Sequence, residues 1–255
     1  EQGYRRFILG LGGSATNDGG VGMAQALGGR LVDTQGSELP PGGISLTNLS
    51  HIDLSNRDHR IAESEIIVAM DVSNPLCGFQ GASVTYGPQK GATPAMVILL
   101  DQALAHLAAV VLRDLCLDVR EVAGAGAAGG LGAGLVSFLG AQLRTGADLV
   151  CDTVKLEEHL ESASLVIVGE GQMDWQTAFD KAPVTVARRA HRKGIPVLAM
   201  VGSLGPGHLK LRDHGIDKMA ALKTSGMSLK EAIADAPSLL TRATARALQE
   251  LHLRF

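Results

Sequence analysis

The chain has 255 residues, 45% of them apolar, with 32 glycines, 3% aromatics and a formal net charge of −3. That length can bury a real core in one large domain or two smaller ones, and the absence of a basic block argues against nucleic acid as a partner. No apolar run approaches the ~20 residues that cross a bilayer, and Cys77, Cys116 and Cys151 are too scattered for a zinc site or a disulfide framework, which fits a reducing cytoplasm.

The chain opens on Glu1-Gln2-Gly3-Tyr4 and not on Met, which suggests a fragment or a processed form. Arg5 to Leu9 reads as a short strand running into Gly10-Leu11-Gly12-Gly13-Ser14-Ala15-Thr16-Asn17-Asp18-Gly19-Gly20, with a helix expected from about Val21 to Leu27. Glycines there let the backbone approach a ligand, and Ser14, Thr16, Asn17 and Asp18 can cap the helix or contact a bound group. A well-capped turn is the plainer reading. Five glycines with four polar side chains favour binding.

Residues 33–60 read as irregular surface excursions, with His51 and His59 solvated. Glu65 to Met70 is an apolar strand, followed by Asp71-Val72-Ser73-Asn74-Pro75-Leu76 and by Gly87-Pro88-Gln89-Lys90-Gly91. An Asp just past a strand can hold Mg²⁺ or simply form a turn. Thr93 and Pro94 are the N-cap and first residue of the clearest helix, whose apolar stripe is Val97, Leu100, Leu104, Leu107 and Val111. His106 lies between stripe positions, partly exposed.

Gly124, Gly126 and Gly129 form a GxGxxG, with Asp148 at the distance of a ribose-binding acid. Asp118 to Val122 before it makes a poor strand, so tight helix packing by small residues competes with anion binding. The second half is more regular. Asp152 to Leu160, Ala182 to Lys193 and His208 to His214 read as helices. Leu165 to Val168, Ile195 to Val201 and Met219 to Leu222 read as strands. Ser228 with Glu231 forms a capping box; Pro237 then interrupts, and Leu240, Ala243, Ala247 and Leu251 carry the last helix. Alternating β and α segments imply a doubly wound parallel sheet. The change of organisation near residue 150 divides the chain into 1–150, with the glycine-rich loops, and 151–255, Rossmann-like.

The densest polar stretch is Gly169-Glu170-Gly171-Gln172-Met173-Asp174-Trp175-Gln176, continuing to Lys181 and Pro183. It follows the strand Leu165–Val168, and ligands of open α/β sheets bind beyond the carboxyl ends of strands. There is no G-x-x-x-x-G-K-[ST], no HExxH and no G-x-S-x-G. Glycine turns with carboxylates, amides and two lysines, Lys90 and Lys181, suit a phosphate or nucleotide with Mg²⁺.

Taken together these blocks resemble the bacterial glycerate kinase family. Gly12 to Gly20, Asp71 to Leu76, Gly81-Ala82, Gly87 to Ala92 and Gly124 to Gly130 carry the likeness, in order along essentially the whole chain. The resemblance implies two α/β domains, one Rossmann-like with a parallel sheet, and transfer of the ATP γ-phosphoryl group to D-glycerate with Mg²⁺, giving 2- or 3-phosphoglycerate. It implies Asp71, Glu170, Asp174 and Lys181 as catalytic, with Asp71 and Glu170 toward the metal. Gly12, Gly13, Ser14, Asn17, Asp18, Asn74, Gln89, Lys90, Gly126 and Gln176 would bind the co-substrate. The partner expected is a small molecule, with neither nucleic acid nor membrane; no oligomeric state is implied. Family members carry an additional N-terminal region with A-P-D-S-[FY]-K and A-D-G-G-E-G-T segments, so the N-terminal part of the fold is expected to be missing. The family pattern G-E-G-R-x-D-x-Q-[ST], then G-K-x-P-x-G, meets Gln172 in its Arg position and Asp180 and Thr185 in Gly positions. An Arg fork clamps a carboxylate or phosphate where Gln carries no charge. A truncated or impaired homologue is therefore the second reading, and an NAD-dependent oxidoreductase, from GxGxxG, the third.

Overall fold

The structure is a computed structural model describing residues 2–175, 181–224 and 226–251. It forms two compact units, Glu1–Gly146 and Ala147–Phe255.

In the first unit β1 (Arg6–Gly10) leads through the glycine loop into α1 (Val21–Ala26) and β2 (Arg30–Val32), which pairs antiparallel with β3 (His51–Asp53). β4 (Glu65–Met70), α2 (Ala82–Tyr86), α3 (Pro94–Leu115), α4 (Ala127–Leu139) and β5 (Gln142–Thr145) follow. β1, β4 and β5 make a parallel sheet in that order. Central β4 is the continuous apolar run expected of a strand covered on both faces, with Ile66, Ile67, Val68 and Met70 buried. Edge strand β1 leaves Phe7, Ile8 and Leu9 exposed.

Thr93 Oγ1 caps α3 by accepting from Met96 N–H, with Pro94 in the first turn. This helix is long and apolar enough by length and composition to cross a bilayer, although scattered polar residues keep it from being an uninterrupted apolar run. Leu104, Leu107, Val110 and Val111 nevertheless lie in the core of the unit, as core helices of that composition do. The stretch 33–60 is more than a surface excursion. Leu39, Leu46, Leu49 and Ile52 are buried in the same core, although no periodicity announces them. His51 is exposed and pairs with Asp114, and His106 Nε2 meets Leu49 O at 2.7 Å.

α5 (Gly146–Thr153) begins at the division between the units. α6 (Leu156–Leu160) is separate from it because Lys155 adopts a left-handed conformation, φ 55°, where one helix was expected. β6 (Val166–Met173), α7 (Ala182–Arg192), β7 (Val197–Leu204), β8 (Lys218–Ala221), α8 (Leu229–Ala234) and α9 (Ala236–Glu250) complete the second unit. β6, β7 and β8 form a parallel sheet in that order. Central β7 is covered on both faces. Val197, Ala199 and Val201 join Val184, Ala187 and Ala190 of α7, while Leu198 and Met200 join Ala247 of α9. On α9 Ala243, Ala247 and Leu251 pack as expected, and only the first position of the stripe differs, with Leu239 buried and Leu240 exposed.

Buried Arg189 fastens α7 to α5. Its guanidinium donates to Asp148 Oδ1 at 2.5 Å and to Asp152 Oδ1 at 2.6 Å. Burial pushes its pKa down, but the bonds to the two carboxylates outweigh this and raise it, so the charge is retained. The Arg189 side chain is 9% exposed, against 38% and 44% for Asp148 and Asp152. The two sides of the pair are therefore unequal. Asp148→Ala with Asp152→Ala leaves the buried cation only Glu157 Oε1, 3.7 Å away, and should destabilise the unit by about 3 kcal/mol. Arg189→Met leaves carboxylates that water can reach and should cost about 1–2 kcal/mol. Urea unfolding followed by Trp175, the single tryptophan, gives the order; equal losses would contradict it.

Candidate functional site

Because the three-stranded sheet of each unit is parallel, the segments after its strands emerge at one end. In the first unit these are the loop after β1, the Asp71 segment after β4 and Gly146 after β5. Leu11 N–H donates to Ala69 O at 3.1 Å, tying the first two together. Asp71 is exposed, and its Oδ1 lies 2.8 Å from where a Cβ on Gly146 would stand.

The loop has an open half and a packed half. A Cβ at Gly10, Gly12 or Gly13 would meet nothing within 4 Å, so an approaching ligand has room there. From Asn17 onward the loop is built into the unit. Asn17 Nδ2 donates to Ser83 Oγ at 2.8 Å, and its Oδ1 is buried without a partner. Asp18 accepts from Gly20 and Gly22 N–H and so holds the entry into α1, whose N-cap is Gly20. Gly19 N–H donates to Gly129 O at 3.1 Å. Gly129 has φ +74°, and a Cβ on it would fall 2.0 Å from Thr16 O. The glycines at the start of α4 therefore serve close packing. Gly126 likewise lies against Pro75 O, and its N–H is committed to Asn74 O. No strand precedes this run, since residues 116–123 are irregular, and Asp148 is bound to Arg189. The dinucleotide reading thus lacks its strand–turn–helix context.

Asn74 is a brace. Its Nδ2 donates to Gln80 O at 2.8 Å, and its Oδ1 accepts from Tyr86 O–H at 2.6 Å. Gln89 is exposed on the short turn Pro88–Lys90. Lys90 Nζ donates to Ser14 Oγ at 2.9 Å and Thr16 O at 2.7 Å.

In the second unit the expected loop is partly strand. β6 runs to Met173 and β7 to Leu204, so Glu170 and Gln172 sit in the ladder opposite Val201 and Ser203. Cross-strand pairing has captured residues that read locally as turn. Glu170 Oε1 accepts from the neighbouring Gly171 N–H. Gln172 and Asp174 converge on Gly205, where a Cβ would stand 2.8 Å from both Gln172 Nε2 and Asp174 Cβ. Gly205 N–H donates to Met173 O at 2.7 Å, Trp175 N–H to Pro206 O at 3.1 Å, and His208 Nδ1 lies 2.9 Å from Gly205 O. Gly205 and His208 were not picked out from the sequence, although Gly205-Pro206-Gly207 after an apolar strand was a usable turn signal. Lys181 is exposed at the N-cap of α7, and Thr185 is buried one turn in. Gln176 and Asp180 lie outside the described residues. Asp71 belongs to the first unit, and Glu170, Asp174 and Lys181 to the second. Among the described residues there is no group of three or more His, Cys, Asp or Glu able to hold a metal ion.

Three-stranded parallel sheets flanked by helices, with polar side chains at their carboxyl ends, place the chain among the α/β proteins. The chain belongs to the glycerate kinase family, whose profile matches residues 1–252. It is 48% identical to a glycerate kinase of Halalkalibacterium halodurans over 95% of this chain and 64% of the relative. It is 47% identical to the glycerate 2-kinase of Escherichia coli K12, over 96% and 64%. A crystal structure described as a glycerate kinase 2 from Salmonella typhimurium LT2 superposes with a TM-score of 0.70 at 46% identity, over 96% of this chain and 64% of that one. The chain thus spans under two thirds of the length of these relatives.

The packing role of Gly129 can be separated from its backbone conformation. Gly140 has a similar φ, +67°, but open space around it. Gly140→Ala should cost about 1–2 kcal/mol, the left-handed penalty alone. Gly129→Ala must also displace Thr16 and should cost about 3 kcal/mol or more. Thermal unfolding of the two variants measures the difference.

Proposed function

We propose that this chain takes part in glycerate kinase chemistry: transfer of the ATP γ-phosphoryl group to a hydroxyl of D-glycerate, giving 2- or 3-phosphoglycerate. Membership of the family supports the reaction class, and the name of the Escherichia coli relative favours the 2-hydroxyl. The observation that carries it is the convergence of Gln172 and Asp174 on Gly205 at the carboxyl ends of β6 and β7, with Lys181 opening α7 in the same unit. Phosphoryl transfer needs positioned charge more than covalent chemistry.

In this reading the open backbone of Gly12 and Gly13, with Ser14, faces anionic oxygen. Lys181 neutralises charge on phosphate or carboxylate. Asp174 or Glu170 accepts the proton leaving the glycerate hydroxyl. Asp71 in the first unit and Glu170 in the second each offer the kind of carboxylate oxygen that suits Mg²⁺, which takes one or two carboxylates with substrate phosphates; when bound it would offset phosphate charge. Asn17, Asp18, Asn74 and Gly126 act by building the loops. Gln89 and Gln176 remain assigned to the co-substrate. A net charge of −3 and three free cysteines support a cytoplasmic protein acting on small molecules, with neither nucleic acid nor membrane as partner.

Gln172 favours a second reading, an impaired homologue, because it stands in the family's Arg position without a charge. Coupled ADP release with D-glycerate and MgATP tests the first reading, and no turnover above blank would overturn it for this chain. Lys181→Met should lower kcat/KM ten- to a hundredfold, the worth of one charge-assisted hydrogen bond. Gln172→Arg should raise it by a similar factor if the missing charge is what limits the rate.

A further inference from the structure

The structure assigns Lys90 a positioning role: its ammonium fixes the open half of the Gly10–Gly20 loop by holding Ser14 and Thr16, and it is not primarily a contact to ligand. Between Leu11 and Asn17 the described hydrogen bonds of the loop are the two from Lys90, to Ser14 Oγ at 2.9 Å and Thr16 O at 2.7 Å. The loop is tied independently at either side, by Leu11 N–H to Ala69 O and by Asn17 to Ser83. The open half has little packing of its own: Gly12 and Gly13 face empty space, and only Thr16, at its far end, lies against Gly129. Without Lys90 this half would be a glycine-rich span fixed only at its ends, free to sample many backbone states.

The base that carries Lys90 is rigid. Pro88 fixes its own φ, and Lys90 N–H donates to Gly87 O. Gly87 is so close to α2 that a Cβ there would lie 2.3 Å from Ser83 O. Ser83 is also the residue that holds Asn17, so one side of α2 anchors both straps. An ammonium has three N–H donors, and two are directed at the loop. Burial pushes the Lys90 pKa down while the nearby Asp18 carboxylate opposes it, as suits a lysine held inside a polar corner. The effect is to preorganise the backbone N–H groups of the open half before any anion arrives.

A contact to ligand and a strap on the loop differ most in the ligand-free protein. Backbone ¹⁵N relaxation on the ligand-free chain reads the difference directly. In the unaltered protein the amides of residues 12–16 should have order parameters near 0.85, and in Lys90→Met they should fall below about 0.6, with those of α3 unchanged. Lys90→Arg, which keeps charge and donors, should recover part of the order. Order parameters that stay rigid in Lys90→Met overturn the proposal. If Lys90→Met loses order throughout the first unit, Ser14→Ala decides. Added motion confined to residues 12–16 supports the strap, and none overturns it. A turnover arm rests on the kinase reading: Lys90→Met should raise the KM of one co-substrate about tenfold and leave the other within twofold. If the unaltered chain shows no turnover, the kinase reading fails and relaxation still decides the role of Lys90.

Discussion

The first unit is organised by the contact of two backbones. The loop after β1 lies directly on the start of α4, with Gly19 N–H bonded to Gly129 O. Three successive residues of α4, Ala128, Gly129 and Gly130, take left-handed conformations to make this possible. A side chain on Gly130 would meet Gly19 Cα at 2.9 Å, and one on Gly134 would meet Gly19 O at 2.4 Å. Glycine costs conformational entropy wherever it is ordered, so a seam of this kind persists only when the close approach repays it. Here it carries the packed half of the loop, and through that half the geometry of the open half.

The second unit solves the same problem with a different interaction. Its sheet continues past the apolar segments, so that Glu170 and Gln172 are held by ladder pairing and not by packing. The turns after β6 and β7 are then stitched together by Gly205, Pro206 and Trp175. Positions set by a strand are more exact than positions on a free loop. Arg189 adds an electrostatic anchor for α7, whose first turn follows Lys181.

Much of this was legible in the residue order, and the failures have identifiable causes. The strand Glu65–Met70, the Thr93-Pro94 helix start and the Ser228–Glu231 capping box were all readable, because local chemistry determines each of them. The extensions of β6 and β7 were not, since Gly169, Gly171 and Gly202 read as turn residues and only tertiary pairing holds them extended. Leu46, Leu49 and Ile52 reach the core from a segment with no period at all. For the glycine run before α4, packing and ligand binding ask for the same residue type, so composition could not divide them. The bonds of Lys90 join residues more than seventy positions apart and left no local trace.

The parallel pairing also has a kinetic consequence. In the first unit Arg6 must find Glu65 and Ile67 must find Gln142, whereas in the second Val166 meets Val197 and Leu198 meets Lys218. The loops closed in the first unit are roughly twice as long or more. Each doubling adds only about 0.6 kcal/mol of closure entropy, little beside the stability of a folded unit. Rates respond more strongly, because distant pairings must form before they are rewarded. The half of the chain made first on the ribosome is thus the slower to acquire its sheet. Its edge strand, with Phe7, Ile8 and Leu9 exposed even when folded, is the segment most open to wrong partners in the interval.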